Sequence, residues 1–102
     1  MTFRTLHFAA MMRVLADPTR LGVVRLLLDQ PRRVGELETR LGVDQSLLSH
    51  HLKVMRDAGF VLGDRDGRAV LYRLSPSLTC ASRREAIDLG GCTLEFQDRY
   101  RG

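Results

Sequence analysis

Five side chains between positions 45 and 53 have types and spacing suited to one kind of chemistry, hydrogen bonding to a partner rich in acceptors. In the stretch QSLLSHHLKVMRDAGF, Gln45 to Phe60, the apolar Leu48, Leu52 and Met55 fall at i, i+4 and i+7, so they share one face of a helix. The opposite face carries Gln45, Ser46, Ser49, His50 and Lys53, all hydrogen-bond donors and none acidic. A merely solvated surface is the ordinary fate of such a face. The alternative is a partner that presents acceptors in a fixed pattern, as base edges and phosphates do. The only other residues with distinctive chemistry are Cys80 and Cys92, twelve positions apart.

The rest of the composition bounds these readings. A chain of 102 residues is expected to form one domain, near the lower end of what buries a comfortable core, so pairing with a second copy would help it. A net charge of +4 and a pI near 9.8 favour an anionic partner. Of the 16 lysines and arginines only Lys53 is a lysine. Arginine suits bidentate phosphate and guanine contacts, although genome base composition produces the same bias.

No run of 18 apolar residues exists, so no transmembrane helix and no membrane partner are expected. The N-terminal apolar stretch is broken by His7 and Arg13 and does not read as a signal peptide. A cytoplasmic location is expected, where two cysteines stand as reduced thiols rather than a structural disulfide. An enzyme is not expected. Ser49-His50-His51 are consecutive on a helix and point in different directions, and no glycine-rich phosphate loop is present.

The elements that must position the donor face follow from periodicity and punctuation. A first helix over 5–16 has two apolar faces, one of Phe8, Met11, Met12 and Leu15, the other of Phe3, Leu6, Ala10 and Val14. Such a helix needs two surfaces to bury against, either a crowded core or, favoured here, a second subunit. Asp17-Pro18 starts a second helix, with Leu21, Val24, Leu27 and Leu28 in helical period up to Asp29; Gln30-Pro31 ends it. A short helix, roughly Arg33 to Arg40, carries Val34, Leu37 and Leu41, and Gly42 closes it. Asp44 caps the helix over 45–58, and Gly59 ends it.

The period then changes. Phe60-Val61-Leu62 and Ala69 to Leu74 are strand-like, joined by GDRDGR with Asp66-Gly67 as the turn pair and Arg65 and Arg68 at or beside the tip. Ser75-Pro76-Ser77 breaks the chain, a last helix is expected from Leu78 to Leu89, and Gly90-Gly91 stops it. Cys92 to Phe96 (CTLEF) alternates like a strand, and the tail QDRYRG is expected to be loose.

Helix, short turn and helix over 34–58 followed by a basic hairpin over 60–74 is a winged helix-turn-helix, mainly α with a small β-hairpin. The major groove admits one helix, whose first turns reach base edges. Arg65 and Arg68 are placed for an adjacent minor groove or its phosphates.

These residues resemble the ArsR/SmtB family of bacterial dimeric winged-helix repressors. The resemblance is carried by LADPTRLGVVRLLL (Leu15 to Leu28), VGELETRLGVDQSLLSHHLKVMRDAGFV (Val34 to Val61) and GRAVLYRLS (Gly67 to Ser75), in unbroken order over roughly 8–76. It implies a homodimer formed by the first and last helices, a double-stranded inverted-repeat operator, and an effector that lowers DNA affinity. By position, Ser46, Ser49, His50 and Lys53 match base- or phosphate-contacting places. His51 matches the histidine of the family's serine-x-histidine-leucine pattern, which implies a partly buried, structural role and leaves His50 as the exposed one.

The family's best-known effector sites do not carry over. VGELETRL lacks the cysteine pair of the arsenic-type site, and ASRREAIDLGG lacks the histidine of the zinc-type site. Cys80 and Cys92 remain, within the C-terminal segment 78–96. On a straight helix they stand about 18 Å apart, too far for one disulfide or one metal ion. A fold-back at Gly90-Gly91, or approach of Cys80 in one subunit to Cys92 in the other, would close that distance. Three readings stay open: arsenite or a soft metal ion as effector, a disulfide or persulfide switch, and two idle thiols that pack as small hydrophobes. DLGGCTLEF resembles the ending of arsenite-responsive members with one cysteine fewer.

Overall fold

The structure, a computed structural model, describes residues 1–80 and 82–97. The tail expected to be loose lies outside the described residues from position 98 onward.

Helix α1 (Phe3–Leu15) opens with the Thr2 hydroxyl accepting from the Thr5 amide at 3.2 Å. Its two apolar faces part as a two-surface helix requires. Leu15 is buried, and Phe8, Met11 and Val14 pack on the core, while Phe3, Leu6 and Met12 stay exposed. Met12 and Val14 have exchanged the sides that their spacing suggested.

Helix α2 (Pro18–Asp29) is the spine. The Asp17 carboxylate accepts from the amides of Thr19 (2.8 Å) and Arg20 (3.1 Å), with Pro18 at the first helical position. Val23, Val24 and Leu27 are buried, and the helix packs against α1 and every later layer of the fold.

Helix α3 (Val34–Leu41) ends at Gly42, whose φ of +67° is the left-handed cap that glycine adopts without strain. Helix α4 (Gln45–Asp57) begins with the Asp44 carboxylate accepting from the Leu47 amide at 2.9 Å. It ends where the Phe60 amide reaches back to the Met55 carbonyl at 2.8 Å. Leu48, Leu52 and Met55 enter the core beside Leu37 of α3.

Two small antiparallel sheets are present among the described residues. In the first, β2 (Val61–Asp66) and β3 (Ala69–Leu74) pair without a break from Val61↔Leu74 to Asp66↔Ala69. The loop residues are therefore Gly67-Arg68, one position on from the expected pair, with Gly67 at φ +65°. A third strand, β1 (Arg32–Arg33), joins β3 through Arg32↔Tyr72 and Arg33↔Leu71. Periodicity gives no sign of this strand, and it moves the start of α3 from Arg33 to Val34.

The second sheet replaces the helix expected over residues 78–89. A short 3-10 turn (Pro76–Leu78) leads to β4 (Thr79–Cys80), β5 (Arg83–Asp88) and β6 (Thr93–Glu95), in the order β4-β5-β6. The physical reason is visible in the burial. Ile87 and Leu89, two residues apart, are both buried, and Leu94 and Phe96 across the hairpin repeat that period of two. Gly90-Gly91 does not stop a helix. It turns a hairpin, with the Leu89 amide donating to the Cys92 carbonyl at 2.9 Å and Gly90 at φ +90°. The turn lies so close to α1 that a Cβ on Gly91 would stand 2.7 Å from Phe8 Cζ. The last helix expected to join a dimer interface is thus a strand pair seated on α2.

Candidate nucleic-acid interface

The donor face of α4 is built by what anchors its back. With Leu48, Leu52 and Met55 in the core, Gln45, Ser46, Ser49, His50 and Lys53 are all exposed. Leu47, which the donor pattern does not include, is 43% exposed beside them. It is the apolar residue out of phase with the buried stripe, and that phase is the signal that marks it. An exposed leucine among donors suits contact with a thymine methyl group.

His51 behaves differently from its neighbour His50. It is 7% exposed, and its Nδ1 accepts from Arg20 Nε at 3.0 Å. Arg20 also donates to the Val14 carbonyl at 3.2 Å. His51 Nε2 lies 3.9 Å from the Asp17 carboxylate. The Asp17 carboxyl is held below its ordinary range, first by the Arg20 backbone amide and then, against partial desolvation, by electrostatic attraction to the His51 ring and by the Thr19 amide. One cluster therefore joins the end of α1, the start of α2 and the middle of α4. It fixes the angle at which α4 presents its front.

Lys53 is not an idle donor. Its Nζ contacts Asp57 Oδ2 at 2.9 Å, one turn along, and this bond holds the Asp57 carboxyl below its ordinary range. The pair is solvent-exposed and contributes little to stability, so Lys53 can exchange Asp57 for a phosphate at small expense.

The hairpin's basic character comes from outside its tip. GDRDGR alone has as many aspartates as arginines. Arg73 Nε binds Asp64 at 2.7 Å, and Arg33, at the start of α3, donates to Asp66 from Nη2 and, at 3.1 Å, from Nε. Both acidic groups are thereby matched, while Arg65 and Arg68 remain exposed without an ion pair among the described residues. The Arg33–Asp66 bond also ties the wing tip to the helix-turn-helix, a link between residues 33 positions apart that no local pattern announces.

The cysteines are not brought together. Cys80 is half-buried on β4, and Cys92 is exposed in the turn before β6. Cys80 pairs with Arg83 at the start of β5, while Cys92 lies in the turn beyond Asp88 at its other end. That length of strand, at roughly 3.3 Å per residue, exceeds the approximately 7 Å limit for bridged Cα atoms. The straight-helix separation is replaced by this arrangement, and the fold-back at Gly90-Gly91 does occur but leaves the two thiols apart. No group of three or more histidine, cysteine or acidic side chains able to hold a metal ion occurs among the described residues. Cys80 and Cys92 within one protomer do not fit a metal or arsenite site.

A helix seated by its apolar back, a preceding short helix and a cation-tipped hairpin define a winged helix-turn-helix protein. Comparison with known proteins narrows the class. Residues 17–62 match the model of the bacterial regulatory protein arsR family. The transcriptional repressor SmtB of Mycobacterium tuberculosis is 48% identical over 65 residues, covering 64% of this chain and 48% of that protein. The chain thus spans about half the length of this curated relative. Among solved structures, HlyU from Vibrio cholerae superposes with a TM-score of 0.72 at 34% identity, over 76% of this chain and 84% of that one. The homodimeric winged helix-turn-helix domain of Mb0332 from Mycobacterium bovis superposes with a TM-score of 0.65 at 25% identity, over 74% and 73%. The chain belongs to the ArsR/SmtB family of transcriptional regulators. No helix among the described residues is long and apolar enough to cross a membrane.

Proposed function

We propose that this chain is a homodimeric, sequence-specific repressor that sets two α4 helices in successive major grooves of an inverted repeat, about 34 Å apart. The observation that carries the reading is the pairing of an anchored donor face on α4 with a wing whose acidic groups are already matched. Ser46, Ser49 and His50 are the base-reading candidates, with Gln45 beside them. Lys53, Arg65 and Arg68 meet phosphates or the adjacent minor groove. The second copy is supported by the outward face of α1, where Phe3 is 86%, Leu6 54% and Met12 55% exposed. Apolar exposure of that extent on one helix calls for cover, and the Mb0332 domain is homodimeric.

A thiol-reactive effector at Cys80 and Cys92 acts, in this reading, between subunits or on single thiols. The intervening strand β5 favours a second reading, an effector that does not use the cysteines. A domain that contacts only proteins would have no need of matched wing acids, and its DNA binding would not fall steeply with salt.

The test is a titration on the protein's own upstream DNA under reducing conditions. His50→Ala should relax specificity at one position in each half-site, by about 1–3 kcal/mol of discrimination. Lys53→Ala should weaken all sequences alike. Parental binding by both variants would remove α4 from the interface. Repeating the titration with arsenite, cadmium, diamide and a persulfide donor on parent and Cys80→Ser/Cys92→Ser protein separates the effector readings. Release in the parent alone supports a thiol effector, and indifference to every agent supports the cysteine-independent one.

A further inference from the structure

The second sheet does more than cover α2. Between it and helices α2 and α3 opens a cleft of about 970 Å³, within the size range of small-molecule sites. Five arginines line it, Arg25, Arg32, Arg40, Arg83 and Arg84, against three carboxylates, those of Asp29, Glu85 and Glu95. No residue of α4 or of the wing takes part, so this concentration of positive charge is separate from the candidate DNA surface.

Several of these charges are already committed. Arg32 is 2% exposed and donates to Asp29 (2.7 Å) and the Leu26 carbonyl (3.1 Å). Arg83 lies 3.7 Å from Glu95. Two guanidinium groups, on different elements of the lining, are not: Arg40 in the last turn of α3 and Arg84 on β5 have no ion pair among the described residues. The remaining nitrogen of Arg32, Nη1, is buried and lies 3.5 Å from Glu36 Oε2, away from the cleft, so Arg32 forms part of the wall and leaves any anion to Arg40 and Arg84. Leu26, Leu41 and Phe96 supply an apolar part to the same wall.

We infer that this cleft binds a small organic anion, a carboxylate or phosphate attached to an apolar group, between Arg40 and Arg84. Guanidinium groups recognise both anions through paired hydrogen bonds. The occupied cleft draws α3 toward the β4–β6 sheet. Since α3 packs on α4, and Arg33 immediately before it holds the wing, the ligand is then coupled to the DNA-reading elements. That coupling rests on the repressor reading above; the binding site itself does not.

The experiment uses amide chemical-shift mapping of the full chain with three probes: phenyl phosphate, phenylacetate and the neutral phenylacetamide. At least one anion should shift amides bordering the cleft, and the more effective one assigns phosphate or carboxylate. The amide probe should not shift them. Arg40→Ala/Arg84→Ala should lower the affinity by about tenfold or more, while Arg65→Ala/Arg68→Ala should leave it unchanged. The inference is overturned by an equal response to the neutral probe, by shifts confined to α4 or the wing tip, by undiminished binding to the Arg40/Arg84 variant, or by no shift at about 10 mM. In a parallel DNA titration the effective anion should weaken binding by the parent and not by the Arg40/Arg84 variant. An equal effect on both would overturn the effector role. Absence of DNA binding in every sample would defeat the repressor reading and leave the shift map standing as the test of the site.

Discussion

The molecule contains two three-stranded antiparallel sheets that do opposite work. In the β1-β3-β2 sheet the long hairpin runs away from the core: burial falls from Val61 at its base to exposed residues from Gly63 through Arg68. Its ladder is regular and its turn is two residues, so the tip is a stiff arm for two arginines. In the β4-β5-β6 sheet the ladder is irregular at Thr79/Cys80, and the strand carrying Ala86 and Ile87 is pressed on α2. One sheet presents charge, and the other seals a core. Regular pairing suffices for an exposed arm because cross-strand bonds fix it, whereas a sealing sheet can depart from regular pairing where side-chain packing holds it instead.

The sharpest way to break this contrast is to truncate the sealing sheet. Ile87→Ala should lower stability by about 2–5 kcal/mol in a urea titration. A loss under about 1 kcal/mol would mean that the second sheet is not part of the core. Arg65→Ala/Arg68→Ala should leave the same titration within about 0.5 kcal/mol of the parent. The pair should nonetheless reduce the slope of log affinity against log salt by about 0.9 for each phosphate no longer neutralised. An unchanged slope would make the wing a solvated arm. At the turn itself, Gly67→Ala forces a side chain into the left-handed region and should destabilise by about 1 kcal/mol. No measurable change would show that the hairpin relaxes into another turn.

The smallest effect concerns the seat that both sheets share. Because the folded-state Asp17 carboxyl titrates below its ordinary value of 3.8, the stability it contributes is present above that value and disappears as pH falls through the lower, folded one. Asp17→Asn keeps a capping side chain but removes the titration. The variant should lose less stability between about pH 5 and the folded pKa region than the parent does. Parallel acid profiles would contradict the assignment.

Legibility in the sequence followed the range of the forces involved. Asp17-Pro18, Asp44, Gly42 and Gly59 punctuate the helices through contacts within a few residues, and α2, α3 and α4 lie within a residue or two of where those signals put them. The donor front of α4 was legible for the same reason, since Leu48, Leu52 and Met55 define its back. What escaped depended on partners far along the chain. Strand β1 is only Arg32-Arg33 and exists because β3 passes beside it. The matching of Asp66 by Arg33 and the burial of Ile87 under a hairpin formed with Leu94 have the same origin. REAIDL has ample helical propensity; tertiary pairing overrode it.

The central claim is that α4 and the first sheet meet DNA while the second sheet does not. Amide chemical-shift mapping with a short duplex from the protein's upstream region tests it most directly. The account predicts shifts over Gln45 to Lys53 and Arg65 to Arg68 that fade progressively as salt is raised, with the amides of β4, β5 and β6 unmoved apart from any dimer contact seen without DNA. Shifts centred on Arg83, Arg84 and Arg40, with the front of α4 silent, would contradict it and move the DNA surface to the arginine cleft.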